Sequence, residues 1–209
     1  MEQIKAKYKS HFKDGGFLIS FFSSFFFLAV ALIINFYAGM YATESASGSV
    51  TDIILSNTRA YDLDDIFVYG SVAFFFFIFF VCIVKPHRTP FTIKSIALFI
   101  VIRSIFITLT HIGPFPSQIP LTSNILSKLT FGGDLFFSGH TGMPFLLALI
   151  FWKDKTIRNI FVVFSLVFAI VVLFSHMHYT IDVLSAFFIT YTIFHIAELF
   201  FHKDKLIWD

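Results

Sequence analysis

Residues 74–80 read Phe74-Phe75-Phe76-Phe77-Ile78-Phe79-Phe80, and the fold class turns on them. The run has no period-two alternation and is apolar on every side, which only a helix or a fully buried strand tolerates. Its apolar surroundings extend from Ile66 to Val84, close to the ~20 residues that cross a hydrocarbon core. Similar runs lie at Phe17 to Met40, Ile93 to Ile112, Gly142 to Trp152 with its preceding turn, Ile160 to Phe174 and Ile181 to Phe201. The expected fold is therefore an all-α membrane protein, a six-transmembrane-helix bundle. The fourth and fifth runs are the shortest.

The 209 residues are 57% hydrophobic and 13% charged, against about 25% charged in soluble domains. A soluble enzyme is excluded, and the absence of alternation argues against an outer-membrane barrel. The first run follows lysines but exceeds the roughly 7–15 residues of a signal-peptide core, so it reads as a retained helix. The 33 phenylalanines read as lipid-facing and helix-packing surface. Cys82, the single cysteine, leaves no internal disulfide to form.

Lys5, Lys7, Lys9 and Lys13 precede the first run; Lys85, Arg88 and Lys94 follow the second; Lys153, Lys155 and Arg158 follow the fourth; Lys203 and Lys205 follow the sixth. In a six-helix path all these segments fall on one side. The other side holds Arg59 and Lys128 together with Glu44, Asp52, Asp62, Asp64 and Asp65. The positive-inside rule then makes both termini cytoplasmic. The expected organisation is a basic cytoplasmic segment at 1–15, a membrane domain at 16–202 and a short cytoplasmic tail at 203–209. The loop at 41–64 is polar, shows no motif and carries a short helix around Thr51 to Ser56.

Two polar stretches fall on the outer side, Gly132-Gly133-Asp134-Leu135-Phe136-Phe137-Ser138-Gly139-His140-Thr141 and His178-Tyr179-Thr180-Ile181-Asp182. If His178 starts a helix, Asp182 lies four residues on, on the same face. Its carboxylate can then accept from one ring nitrogen, leaving the other free and more basic. A histidine so held, with a second histidine at matching depth, suits attack on phosphorus and protonation of a leaving alkoxide. The catalytic candidates are His140, His178 and Asp182.

Around them, a tight turn at Gly132-Gly133 can point Asp134 inward. Ser138 and Gly139 open the fourth helix, with Thr141 as its expected cap and Pro144 in its first turn. Backbone amides at that start can bind phosphate oxygens. Arg103 lies well inside an apolar run, where a charge is costly without a partner. It either pairs with a membrane carboxylate such as Glu198 or faces the cleft and meets phosphate. His111 is a further residue that can line the site. His176 and His178 with carboxylates could ligate zinc, but the His178–Asp182 spacing favours proton or phosphoryl work.

Gly133-Asp134-x-x-x-Ser138-Gly139-His140-Thr141 and His178-Tyr179-Thr180-x-Asp182-Val183-x-x-Ala186 resemble the two signature blocks of the sphingomyelin synthase family, a branch of the lipid phosphate phosphatase superfamily. Arg103 to Pro116 loosely resembles a third block, and the resemblance spans roughly residues 60–202. It implies a His140, His178 and Asp182 triad at the exoplasmic (periplasmic or lumenal) face of a multi-pass membrane protein. It also implies head-group transfer from a glycerophospholipid donor to a ceramide acceptor, releasing diacylglycerol. Arg103, Asp134, Ser138, Gly139 and Tyr179 become the candidate substrate-binding residues. Neither metal, organic cofactor nor nucleic acid enters this reading.

The chain departs from the family's proline-rich first block, which is not evident around Lys85 to Pro90, and the Arg103 segment has one extra residue before its prolines. The phosphatase branch instead carries a basic block and an arginine six residues before the nucleophilic histidine, where this chain has Val172. It also usually has proline where Phe137 precedes Ser138. A phosphomonoester carries two charges and benefits from such cations, whereas a diester carries one. The cation-poor site favours a diester. With water as acceptor, the same residues would make a lipid phosphate phosphatase or a phospholipase C type hydrolase.

Overall fold

The computed structural model describes residues 14–119 and 135–206. The basic N-terminal segment, Lys128 and the Gly132-Gly133-Asp134 turn lie outside the described residues. Among the described residues the structure is helices and connecting loops, with α1 Gly15–Glu44, α2 Asp64–Val84, α3 Thr89–Leu109, α4 Gly139–Ile150, α5 Lys155–Phe174, α6 Thr180–Phe200 and α7 His202–Leu206. Among the described residues five stretches are long and apolar enough to cross a membrane: α1, α2, α3 with its preceding turn, α5 and α6. The fourth expected span is the exception. At 12 residues α4 rises about 18 Å, short of a ~30 Å hydrocarbon core.

Helix boundaries follow local chemistry. The Asp14 carboxylate accepts from the Gly16 amide at 3.0 Å and starts α1, which continues through Ala42 to Glu44, past the expected end at Met40. Pro90 sits in the first turn of α3, where its missing N–H costs nothing, so α3 begins at Thr89 rather than Ile93. It ends at Leu109 because Thr110 turns extended. Asp154 caps α5 through the Ile157 amide and is ion-paired with Lys85, so α5 starts five residues before Ile160. In the first loop the helical turn is Leu55–Asn57.

α3 is the most buried of the long helices and forms the axis of the bundle. α1 lies along it through Ser24, Ala31 and Ala38, a seven-residue repeat of small side chains that lets helix backbones approach. Ile19, Phe22, Phe26 and Tyr37 on the remaining surface of α1 are exposed, as the lipid-facing reading of the phenylalanines expects. α4 is enclosed instead: Leu146, Leu147, Ala148, Leu149 and Ile150 are all buried. Gly142 permits this, since a Cβ there would sit 2.7 Å from Thr190 Oγ1 and 2.9 Å from the Phe99 ring.

The helices alternate in direction, so the starts of α2, α4 and α6 share one end of the bundle with the ends of α1, α3 and α5. Backbone bonds tie the loops of that end together, Ser47 to His111, Gly113 to Gly48 and Tyr61 to Phe174. At the opposite, basic end, Lys94 donates to Asp204 at 2.7 Å and to Ser20 at 2.8 Å, fastening α7 under α1 and α3.

Candidate active site

α4 is capped by Ser138, not Thr141. The Ser138 Oγ accepts from the Thr141 amide at 3.3 Å and from the Thr141 hydroxyl at 3.1 Å, which places Gly139 and His140 in the first turn. Pro144 accordingly sits inside the helix rather than in its first turn, and it has no N–H to offer the His140 carbonyl four residues back. The helix-start amides that sequence reading assigned to phosphate belong to this first turn.

α6 begins at Thr180, so His178 lies two residues before the helix and Asp182 in its first turn. The Asp182 Oδ2 accepts the Tyr179 amide at 2.9 Å. His178 Nδ1 stands 3.5 Å from the same oxygen, longer than a formed hydrogen bond. Among the described residues neither His178 Nδ1 nor Asp182 Oδ1 has a hydrogen bond, although both are buried. The Ser138 amide donates to the Asp182 carbonyl at 3.1 Å, and this bond joins the two polar stretches.

His140 lies half-buried between α2 and α5, its ring 4.4 Å from that of Phe67 and 5.6 Å from that of Phe168. It lies within electrostatic range of both His178 and Arg103. Arg103 is 8% exposed, and its Nε donates to the Phe137 carbonyl at 2.9 Å. A Cβ on Gly139 would lie 3.1 Å from that nitrogen, so a larger residue there would press the guanidinium back from the helix start. Arg103 thus sits beside the start of α4. Glu198, the alternative partner, is engaged near the basic end by His195 and Lys205.

Other candidates fall elsewhere. Tyr179 is 1% exposed; its hydroxyl donates to the Gly113 carbonyl and accepts from the Val50 amide, so it braces two loops behind the site. His111 turns back onto the Thr108 carbonyl and packs against Tyr41. His176 engages the Ser117 and Thr58 hydroxyls. No group of three or more His, Cys, Asp or Glu suited to a metal converges among the described residues. Asp134 lies outside the described residues.

Sequence reading missed Asp52. Its carboxylate accepts from the Thr180 amide at 2.7 Å and the Thr180 hydroxyl at 2.9 Å, capping α6 from 128 residues away. Burial raises the Asp52 pKa, but bonds from Leu55, Thr180 and Ile54 outweigh it and hold the carboxyl below its usual value. No local pattern announces such a cap. Phe67 and Phe168, the walls of His140, were likewise indistinguishable from the other phenylalanines.

Beside Phe168, an apolar groove of about 350 Å³ opens between α2 and α5, lined by Ile66, Gly70, Val163, Phe164 and Val167. One of its walls is therefore also a wall of His140.

Residues 132–199 match the family model PAP2 superfamily C-terminal. The matched stretch contains both histidine blocks and supports membership of the PAP2, or lipid phosphate phosphatase, superfamily. The chain is to that extent similar to lipid phosphatases and phosphotransferases that act within membranes. No curated protein and no solved structure matches it.

Proposed function

We propose that the chain is a head-group transferase. It moves a phosphodiester group, phosphocholine or phosphoethanolamine, from a glycerophospholipid to the primary hydroxyl of ceramide. The observation that carries this reading is the Ser138–Asp182 backbone bond, which sets the His140 helix start against the His178–Asp182 pair. In the first step His178 Nε2 attacks phosphorus while the bond to the diacylglycerol oxygen breaks, and protonated His140 gives that oxygen its proton. In the second, neutral His140 takes the proton of the acceptor hydroxyl. That oxygen then attacks phosphorus, and the P–N bond breaks.

Asp182 orients His178 by accepting from Nδ1 once the 3.5 Å separation closes, as catalytic contacts do when substrate arrives. Arg103 and the amides of the α4 start meet the phosphoryl oxygens, supplying charge stabilisation. Ser138 and Gly139 shape that start, Asp134 is kept from the sequence as a substrate-binding residue, and Tyr179 acts through the loops it braces. The α2–α5 groove holds an acyl chain beside His140. The membrane domain makes six passes with both termini cytoplasmic and the site on the exoplasmic face. Here α4 completes its pass within the bundle, where neighbouring helices replace lipid.

Hydrolysis with water as acceptor is the second reading, favoured by the same superfamily match. Purified protein in vesicles with labelled phosphatidylcholine or phosphatidylethanolamine, ceramide and phosphatidic acid separates the two. Head-group-labelled ceramide is expected. Free phosphate released from phosphatidic acid without transfer would establish the phosphatase reading instead.

A further inference from the structure

A second cavity lies at the basic end, remote from His140 and His178. It has a volume of about 420 Å³, within the roughly 300–1,000 Å³ of small-molecule sites. Its origin is the shortness of α4. The start of α4 is pinned to the start of α6 by the Ser138–Asp182 bond, so all of its deficit in length falls at the other end. There α6 runs on to Phe200, past the end of α4 at Ile150.

The cavity is built in two zones. Leu149, Ile150, Tyr191 and Phe194 supply an apolar lining, while Arg88, Lys153, Lys205 and Glu198 supply a charged one. Glu198 is ion-paired with Lys205 and bonded to His195 at 2.9 Å. Among the described lining residues, three cations and one carboxylate meet there: Lys205 is paired with Glu198, Arg88 also lies in the field of Asp154, and Lys153 stands at the same end. Lys205 is not a drifting tail residue: its neighbour Asp204 is 7% exposed and locked to Lys94 and Ser20. Trp152, 55% exposed at the mouth, has the amphipathic ring favoured at a membrane–water boundary.

We infer that this cavity binds an anionic phospholipid from the leaflet at the basic end, its phosphate against Arg88, Lys153 and Lys205 and one acyl chain against Ile150 and Phe194. Positive charge over an apolar slot that opens to lipid fits an anionic amphiphile better than a soluble anion, which would leave the slot unfilled. This site is distinct from the transferase cleft and binds lipid without transforming it.

The test is photolabelling of the full-length protein in nanodiscs by phosphatidylglycerol carrying a diazirine in its acyl chain. Label is expected in peptides spanning 149–153 and 191–198, and excess unlabelled phosphatidylglycerol should compete while phosphatidylcholine and inorganic phosphate do not. Lys153→Gln with Lys205→Gln should lower that labelling about tenfold, with helix content and melting unchanged. His178→Ala should leave it intact, separating it from the active site. Label spread evenly over lipid-facing helices, equal competition by phosphatidylcholine, competition by inorganic phosphate, or undiminished labelling of the double variant would each overturn the assignment. If the double variant misfolds, the wild-type map and competition decide alone.

Discussion

The Ser138 amide and the Asp182 carbonyl meet at 3.1 Å, a backbone bond between residues 44 positions apart in the chain. It makes the start of α4 and the start of α6 one structural unit, so His140 and His178 need no side-chain contact with each other to keep their spacing. In the proposed reaction the two imidazoles are therefore held in register by backbone, not by each other.

His178→Ala should therefore abolish head-group transfer while leaving helix content unchanged. His140→Ala should lower kcat by roughly 10²–10⁴-fold, the usual contribution of general acid–base catalysis. Asp182→Asn should keep the Tyr179 amide bond through its carbonyl oxygen yet lose orientation of His178, reducing kcat with little change in KM. Transfer assays on reconstituted variants check all three, and an Asp182→Asn enzyme with wild-type kcat would remove Asp182 from the mechanism.

Ser138 is 0% exposed and holds the α4 start through Thr141. Ser138→Ala should cost about 1 kcal/mol of stability, as loss of a helix cap does, and Ser138→Thr should restore most of it. Thermal unfolding in detergent reads the difference.

Much of this arrangement was legible in the sequence. Apolar runs located the helices, but the His178-x-x-x-Asp182 spacing did not act through a shared helix face: α6 starts at Thr180, and it is the turn before it that brings His178 Nδ1 to 3.5 Å from Asp182 Oδ2. The length of α4 was less legible: residues 142–152 are uniformly apolar, and only the Ser138 cap and the turn at Phe151 limit the helix. Asp52 was illegible for another reason. A carboxylate that caps a helix 128 residues later leaves no trace in its own neighbourhood, where Ser, Thr and Asp read simply as a polar loop. Arg103 lay between, its burial evident from the sequence but its partner, the Phe137 carbonyl, knowable only once α3 met the α4 loop.

His176 gives a pH dependence of determinate sign. Burial holds its pKa below the ordinary 6.5, while Asp52 works weakly in the opposite direction. A depressed folded-state pKa means that the unfolded chain binds the proton more readily. The stabilisation is thus complete above 6.5 and is lost as pH falls through the lower folded value. His176 adopts φ 54°, a left-handed conformation that asparagine tolerates. His176→Asn should accordingly flatten the decline in melting temperature below pH 6.5, and an unchanged pH profile would refute the assignment to His176.

The groove between α2 and α5 should set chain-length dependence. Val163 is 58% exposed in its wall, so tryptophan there fills the slot without entering the core. Val163→Trp is expected to raise KM for long-chain donors several-fold and to leave short-chain donors near wild type. Equal effects on both would show that the groove does not hold substrate.

Orientation is open to a direct measurement because the chain has a single cysteine, Cys82. In a Cys82→Ala background, Ser56→Cys reports the end that carries the histidines and Thr156→Cys the basic end; both positions are exposed. The excess of lysine and arginine at the basic end predicts that it faces the cytoplasm. A membrane-impermeant maleimide added to intact cells should label Ser56→Cys at once and Thr156→Cys only after permeabilisation. The reverse pattern would turn the active site towards the cytoplasm, and donor lipid would then have to come from the inner leaflet. Labelling of both positions in intact cells would mean that α2, α3 and α4 do not make three passes between them.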